Sequence, residues 1–142
     1  MYLFDFTVMT KKFYIGECLQ VICGLLNDVS ENVFPDHRPE AKGKQMQDMV
    51  VVSLPVAVND NNVQQDTVAR IELMVRNKSS GMANITRLQQ MLDVLIAKFP
   101  IVSGRYSLVS PSLVLKGNDG LGYTIWNVQA RLIINTTDDY NI

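Results

Sequence analysis

A run of ten residues that is almost continuously hydrophobic, 49–58, constrains the fold more than any other part of the sequence. Only Ser53 and Pro55 interrupt it. Runs of this kind form strands that are covered on both faces, whereas a strand with one wet face alternates between apolar and polar residues. The rest of the 142-residue chain supplies only two clear helical patterns. We therefore expect part of the cover for this strand to come from outside the chain, which predicts a subunit of an assembly.

Length and charge restrict the classes of protein to which the chain can belong. At 142 residues it fits one domain, 1–142, which is large enough for a hydrophobic core of its own. Its 13 basic and 14 acidic side chains give a net charge of −1, which provides no general attraction to nucleic acid or to an anionic membrane. No apolar stretch approaches the roughly 18 residues of a membrane span, and Asp5 stands where a signal peptide carries positive charge. We therefore expect a protein that is made and kept in the cytoplasm, without a membrane partner.

Two amphipathic helices are predicted from hydrophobic residues that recur at offsets of three and four. Thr10 is the expected N-cap of the first helix, which begins at Lys11. Ser79 or Ser80 is the expected N-cap of the second, which Pro100 ends. The first stripe consists of Ile15, Cys18, Leu19, Ile22, Leu25, Leu26 and Val29. The second consists of Met82, Ile85, Leu88, Leu92, Leu95, Ile96 and Phe99, with Met91 beside it.

Four longer segments predict strands, and they fall into two hairpins. The hydrophobic run ends at an asparagine-rich tip, 59–62, and is followed by 67–76, in which apolar and polar residues alternate. Segments 106–116 and 121–137 flank the turn sequence 116–120. Pro111 predicts an edge position or a bulge, because proline lacks the N–H that a sheet interior requires.

The order of these elements predicts an α+β fold, with one mostly antiparallel sheet of about four strands and the two main helices packed on one face. Segment 1–9 is interpreted as an N-terminal arm or a short strand, 35–48 as a long polar loop and 138–142 as a loose tail. The sheet face away from the helices carries Met49, Val51, Met74, Ile125 and Ile133. This face is more apolar than a monomer usually leaves exposed, so we expect a partner surface there. Scattered exposed hydrophobic residues, which are normal on proteins, are the alternative.

No set of residues in the sequence predicts catalysis, a metal site or a cofactor. His37 is the one histidine, and it lies in a polar loop without further ligands at zinc spacing. Cys18 and Cys23 point about 140° apart on the first helix, so we expect buried thiols rather than a disulfide or a nucleophile. Residues 42–45 lack the first glycine and the Ser or Thr of a P-loop. We therefore expect a protein that is not an enzyme.

Four basic residues are predicted to lie near the start of the second helix: Arg70, Arg76, Lys78 and Arg87. The usual meaning of such a cluster is a solvated face. The more specific alternative is that these residues contact an acidic partner.

The order and shape of the elements resemble those of the tail terminator and tail-completion proteins of long-tailed phages, over roughly residues 11–137. The matching stretches are VVVSLP at 50–55, RIELMVR at 70–76, the helical segment 85–99, and NDGLGY at 118–123 running into 126–134. The polar loop 35–48 and the apolar prefix depart from the pattern of that family.

The resemblance implies a structural virion protein that forms a ring, typically a hexamer, on the last ring of the tail tube. Its partners are then other copies of itself, the tail-tube protein and the head connector protein, with DNA passing through the lumen without sequence-specific binding. The protein is then assembled in the host cytoplasm and located in the tail or neck of the virion. Candidate contacts with neighbours are Asn59, Asp60, Asn61 and Asn62 at the hairpin tip, Arg38, Lys42 and Lys44 in the polar loop, and Met74 and Arg76 on the sheet. The alternative function is a small cytoplasmic oligomeric binding module for an unknown ligand.

Overall fold

The computed structural model describes residues 15–36, 38, 46–54, 59–60 and 64–135 of the chain. These residues form two helices and seven strands. In chain order they are α1 (Ile15–Leu25), β1 (Val33–Pro35), β2 (Asp48–Ser53), β3 (Asn59–Asp60), β4 (Gln64–Arg76), α2 (Ile85–Ala97), β5 (Ile101–Ser103), β6 (Tyr106–Asn118) and β7 (Tyr123–Asn135).

All seven described strands belong to one mixed sheet that curls into a half-barrel. The strand order is β1-β2-β4-β7-β6-β5, and β3 also pairs with β4. β1 runs parallel to β2, and every other described pair is antiparallel. The predicted antiparallel sheet of about four strands is therefore wrong. It failed because β1, β3 and β5 are only three, two and three residues long, too short to show a period of two.

The two predicted hairpins are present in the sheet. β2 and β3 both pair with β4, with Val50 opposite Leu73, and β6 pairs with β7 along its length. Pro111 lies at a bulge, as predicted, because the pairing jumps from Val109 opposite Arg131 to Ser112 opposite Gln129. The tip at 61–63 and the connection at 55–58 lie outside the described residues.

The inner face of the sheet carries the main hydrophobic core. Both helices pack on this face, against alternating residues of β2, β4 and β7 such as Val50, Ile71 and Val128. From α1 and the turn after it come Cys18, Leu19, Ile22, Leu26 and Val29, and from α2 come Leu88, Met91 and Leu95. The hydrophobic stripe predicted for the first helix is thus largely the buried one, although its predicted start at Thr10 and Lys11 lies outside the described residues.

The second helix begins later than predicted. Its N-cap is Asn84, whose Oδ1 accepts a hydrogen bond from the Arg87 backbone N–H at 3.2 Å, and not Ser79 or Ser80. Two backbone bonds hold the preceding residues in a turn: the Lys78 N–H donates to the Met82 carbonyl and the Gly81 N–H to the Lys78 carbonyl, each at 2.8 Å. This turn requires a positive φ of 86° at Gly81, so the helix starts only after it.

Three of the five hydrophobic residues on the outer face of the sheet are covered by the chain itself, and Ile125 and Ile133 are half-buried. Met49, Val51 and Met74 are only 5%, 2% and 3% exposed in a single subunit. They form a second cluster with Tyr123, against which Phe34, Met46 and Ile125 pack. β2 is therefore buried on both faces, as its sequence predicted, but the expectation that these three side chains await a partner is wrong. Phe34 and Met46, near the two ends of a connection whose middle is polar, supply the cover that the sequence pattern did not reveal.

Candidate functional site

An ion pair ties Arg38, which lies between β1 and β2 in the chain, to the turn before β7. The Arg38 guanidinium donates to Oδ2 of Asp119 at 2.6 Å and lies 5.6 Å from the centre of the Tyr123 ring. The Tyr123 hydroxyl donates to the backbone carbonyl of Met46. Arg38 and Met46 are thus both tied to the start of β7 and the turn before it. This explains why the outer cluster is closed.

Asp119 organises the turn between β6 and β7 as well as the ion pair. Its Oδ1 accepts from the backbone N–H groups of Leu121 at 2.7 Å and of Tyr123 at 3.0 Å. Burial opposes ionisation of this carboxyl group. The two backbone donors and the Arg38 guanidinium outweigh that effect and hold the pKa of Asp119 below its usual value.

A cavity of about 260 Å³ adjoins the outer cluster, with Arg38, Glu72 and Asp119 among its charged lining residues. On the same face, Arg70 Nε and Asn127 Oδ1 are buried without a hydrogen-bond partner among the described residues. The cavity mixes both signs of charge with the apolar side chains of Val51 and Met74. It therefore favours no single class of ligand.

A larger cleft of about 550 Å³ lies where β4 ends, β7 begins and the chain turns into α2. Its described side-chain lining is polar and carries no carboxylate, and consists of Gln47, Arg76, Asn77, Lys78, Ser79 and Asn84. The Asn77 backbone N–H donates to the Gly122 carbonyl at 2.8 Å, and the Thr124 hydroxyl donates to Asn77 Oδ1 at 2.6 Å. These bonds join the end of β4 to the start of β7 and hold that wall of the cleft in place.

Only two of the four basic residues that were predicted to cluster line the cleft. Arg76 and Lys78 both line the cleft. Arg87 instead donates from Nε to Asp48 Oδ2 at 2.9 Å, so its charge is paired. Arg70, on β4, lies opposite Gln129 of β7 and does not line the cleft.

The residues predicted to contact neighbouring subunits lie in different environments in the structure. Met74 is buried and therefore unavailable to a partner. Arg38 is engaged by Asp119, and Arg76 is half-buried in the cleft. Asn59 and Asp60 form the short strand β3, opposite Asp66 and Gln65. The other predicted contacts lie outside the described residues: Asn61, Asn62, Lys42 and Lys44. His37 also lies outside them.

An exposed hydrophobic surface remains on α2, where sequence reasoning expected burial. Ile85 and Ile96 are 52% and 40% exposed, and Leu92 between them is half-buried. At 100° per residue, Ile85 and Ile96 lie about 90° and about 110° from the centre of the face formed by Leu88, Met91 and Leu95. The helix is therefore rolled away from its predicted stripe, and one flank of that stripe faces solvent.

The two cysteines are buried or half-buried thiols, as predicted. Burial, and next the charge of Glu17, raise the pKa of Cys18 to about 12, and burial raises the pKa of Cys23. Both shifts disfavour the thiolate, which is the nucleophilic form of cysteine. The Tyr106 hydroxyl donates to Glu17 at 2.8 Å, and burial together with this bond raises the pKa of Tyr106.

Within the described part of the chain, no group of three or more His, Cys, Asp or Glu side chains is placed to hold a metal ion. No helix among the described residues has the length and apolar character needed to cross a membrane. No known protein family model matches the chain, and no curated protein is significantly similar to it.

Proposed function

We propose that the protein is a structural subunit that joins copies of itself into a ring at the end of a phage tail, in the role of the tail terminators that its sequence resembles. In this proposal the ring contacts the tail-tube protein on one side and the head connector protein on the other. DNA passes through its lumen without sequence-specific contacts. The observation that carries the self-assembly is the exposed flank of α2.

The α2 flank is more apolar than a helix needs for folding on this sheet. Leu88, Met91 and Leu95 already bury one face completely. The two exposed isoleucines and Leu92 follow offsets of seven and four, so they line one side of the helix. Exposed apolar side chains aligned along one side of a helix are typical of a protein contact.

Further apolar side chains are exposed on the hairpin of β6 and β7. Leu113 and Val114 on β6 are exposed, and so is Leu121 in the turn. Beyond Leu108, β6 has no neighbour other than β7 among the described strands. A ring built head to tail joins two unlike surfaces of each subunit, and the exposed apolar residues of α2 and of the hairpin lie on different elements. Together they support a heterologous contact between copies.

The outer face is not a contact surface in this proposal, because Met49, Val51 and Met74 are sheltered within one subunit. The contact surface is assigned instead to the helix and the hairpin. The near-neutral net charge of −1 is compatible with a lumen that lets DNA pass.

The test compares two charge substitutions on α2 by multi-angle light scattering and sedimentation velocity over a wide concentration range. Ile96→Lys introduces a charge on the exposed flank. Val94→Lys is the matched control, since Val94 is 38% exposed against 40% for Ile96 and lies on the other flank. We expect the unchanged chain and Val94→Lys to form one closed ring, visible by electron microscopy, and Ile96→Lys to remain a monomer.

Three results would contradict the proposal. A chain that stays monomeric at every concentration does not self-assemble, and one that stops at a dimer forms no ring. A ring that Ile96→Lys leaves intact does not use the α2 flank. For the tail role itself, we expect genes for portal, tail-tube or tape-measure proteins beside this one, and a neighbourhood without any of them argues for the binding module instead.

A further inference from the structure

The cleft between β4, β7 and α2 holds two positive charges that no described residue neutralises. Arg76 and Lys78 line it, and neither forms an ion pair with a described residue. The described side chains that line it include no Asp or Glu. By contrast, Arg38 and Arg87 are each bound to a carboxylate, at 2.6 and 2.9 Å. The cleft therefore concentrates positive charge in a concave space.

Neutral hydrogen-bond donors surround these charges. Asn77 and Asn84 each accept a hydrogen bond through Oδ1, from the Thr124 hydroxyl and the Arg87 N–H respectively. Neither amide NH₂ group donates to a described residue, so each can donate to a ligand. Gln47 and Ser79 add an amide and a hydroxyl to the lining. Donors from several chain segments suit an anion with oxygens pointing in several directions better than a flat carboxylate.

We propose that this cleft is a binding site for a phosphate group. A guanidinium and an ammonium group together recognise phosphate through charge-assisted hydrogen bonds. The volume of about 550 Å³ also suits a small ligand. None of the described lining residues is aromatic, so they offer no platform on which a nucleobase could stack. Recognition therefore stops at the phosphate, whether it belongs to a free ion, a small phosphorylated molecule or a nucleic-acid backbone. This inference does not depend on ring formation.

The test measures binding of inorganic phosphate to the full chain by calorimetry, and by the rise in melting temperature with phosphate concentration. Sodium chloride at matched ionic strength is the reference, because it screens charge without occupying the site. A ligand that binds only the folded state raises stability by RT ln(1 + [L]/Kd), so the rise must follow the dissociation constant from calorimetry. We expect such a rise with phosphate and none with chloride.

The double variant Arg76→Gln, Lys78→Gln should weaken phosphate binding at least about tenfold, since it removes both charges that recognise the anion. Lys116→Gln is the matched control, since it removes one exposed positive charge outside the cleft and should leave binding unchanged. Lys78→Gln alone, at an exposed position, should weaken binding severalfold. This single variant tests the site even if the double variant does not fold. Melting temperatures without phosphate show whether each variant is folded.

Two further ligands, a nucleoside monophosphate and a short single-stranded DNA, distinguish between the possible sources of the phosphate group. DNA binding that the double variant loses, and that weakens with salt, assigns the site to a nucleic-acid backbone. Binding of phosphate or the monophosphate without DNA binding assigns it to a small molecule. The proposal is overturned if phosphate stabilises no more than chloride does, or if the double variant binds phosphate as well as the unchanged chain.

Discussion

Truncation of Met74 to alanine tests whether the outer face of the sheet is closed by this chain alone. Met74 is 3% exposed and packs in one cluster with Met49, Val51 and Tyr123. The substitution removes the Cγ, Sδ and Cε atoms from the middle of this cluster. If neighbouring copies supplied the cover instead, the cost of the change would depend on whether those copies are bound.

The expected cost follows from the groups removed. Burial is worth about 0.8 kcal/mol per methylene-sized group, which gives a loss of about 2.4 kcal/mol for the three atoms. The cavity that remains adds to this, and methionine-to-alanine changes in cores cost about 2–5 kcal/mol. We expect about 3 kcal/mol, because the partly buried rim at Phe34, Met46 and Ile125 can collapse into the space. With a urea m-value of about 2 kcal/mol per molar, the unfolding midpoint falls by about 1.5 M.

The assay is urea unfolding followed by the fluorescence of Trp126, the one tryptophan, which is buried. It is run at two protein concentrations that differ about a hundredfold, a range over which a stabilising subunit contact would shift the midpoint by mass action. Met82→Ala is the matched control, because Met82 is 69% exposed and its loss should change the free energy of unfolding by less than about 0.5 kcal/mol. A negligible cost for Met74→Ala would refute the reasoning, and so would a cost that differs between the two concentrations.

Three further predictions concern the inner core, the turn and the thiols. Leu95→Ala should cost about 2–5 kcal/mol, while the half-buried Leu92→Ala should cost less than half as much; equal costs in urea unfolding would show that the helix is rolled differently. Asp119→Asn should lower the free energy of unfolding at pH 7 by about 1–3 kcal/mol, since the ion pair with Arg38 is lost. The folded-state pKa of Asp119 is lowered, so its contribution is complete above the unfolded pKa and disappears as the pH falls below about 4. Unfolding at pH 7 and pH 3 should therefore give a smaller difference at pH 3, and a constant difference would contradict this origin. Cys18, buried and with a pKa of about 12, should react with a thiol reagent only as the protein unfolds in urea, and rapid modification in buffer would argue against its burial.

Features set by neighbouring residues could be predicted from the sequence. The hairpin of β6 and β7 follows from alternating hydrophobicity around an Asn-Asp-Gly turn, and the bulge follows from Pro111. The burial of β2 on both faces follows from Val50, Val51 and Val52, which leave no polar side for water. Each of these inferences needs only a few consecutive residues.

Features set by contacts between distant residues could not be predicted. β1 is held by backbone bonds on either side, from the Val50 N–H to the Asn32 carbonyl and from the Asp36 N–H to the Val52 carbonyl, and three residues carry no pattern of their own. The cleft presents the same difficulty. The sequence predicted only that Arg76 and Lys78 lie near two other basic residues. One of those, Arg87, is neutralised by Asp48, which lies 39 positions earlier in the chain.

The orientation of α2 explains why Ile85 and Ile96 were wrongly predicted to be buried, and it also exposes the surface assigned to the proposed assembly. Hydrophobic periodicity reports every face that a helix must cover, and it does not distinguish a core from a subunit interface. On the sheet, burial of Leu88, Met91 and Leu95 uses only part of the predicted stripe, and Ile85 and Ile96 remain outside. The exposed part of the predicted stripe is therefore hydrophobic surface that a single subunit does not bury. On the outer face, where the hydrophobic pattern of the strands predicted a partner, Phe34 and Met46 of the same chain pack against Met49, Val51 and Met74. If neighbouring copies do cover α2, Ile96→Lys must break the assembly while the stability of each separated subunit stays unchanged, because a lysine at that position contacts water in the monomer.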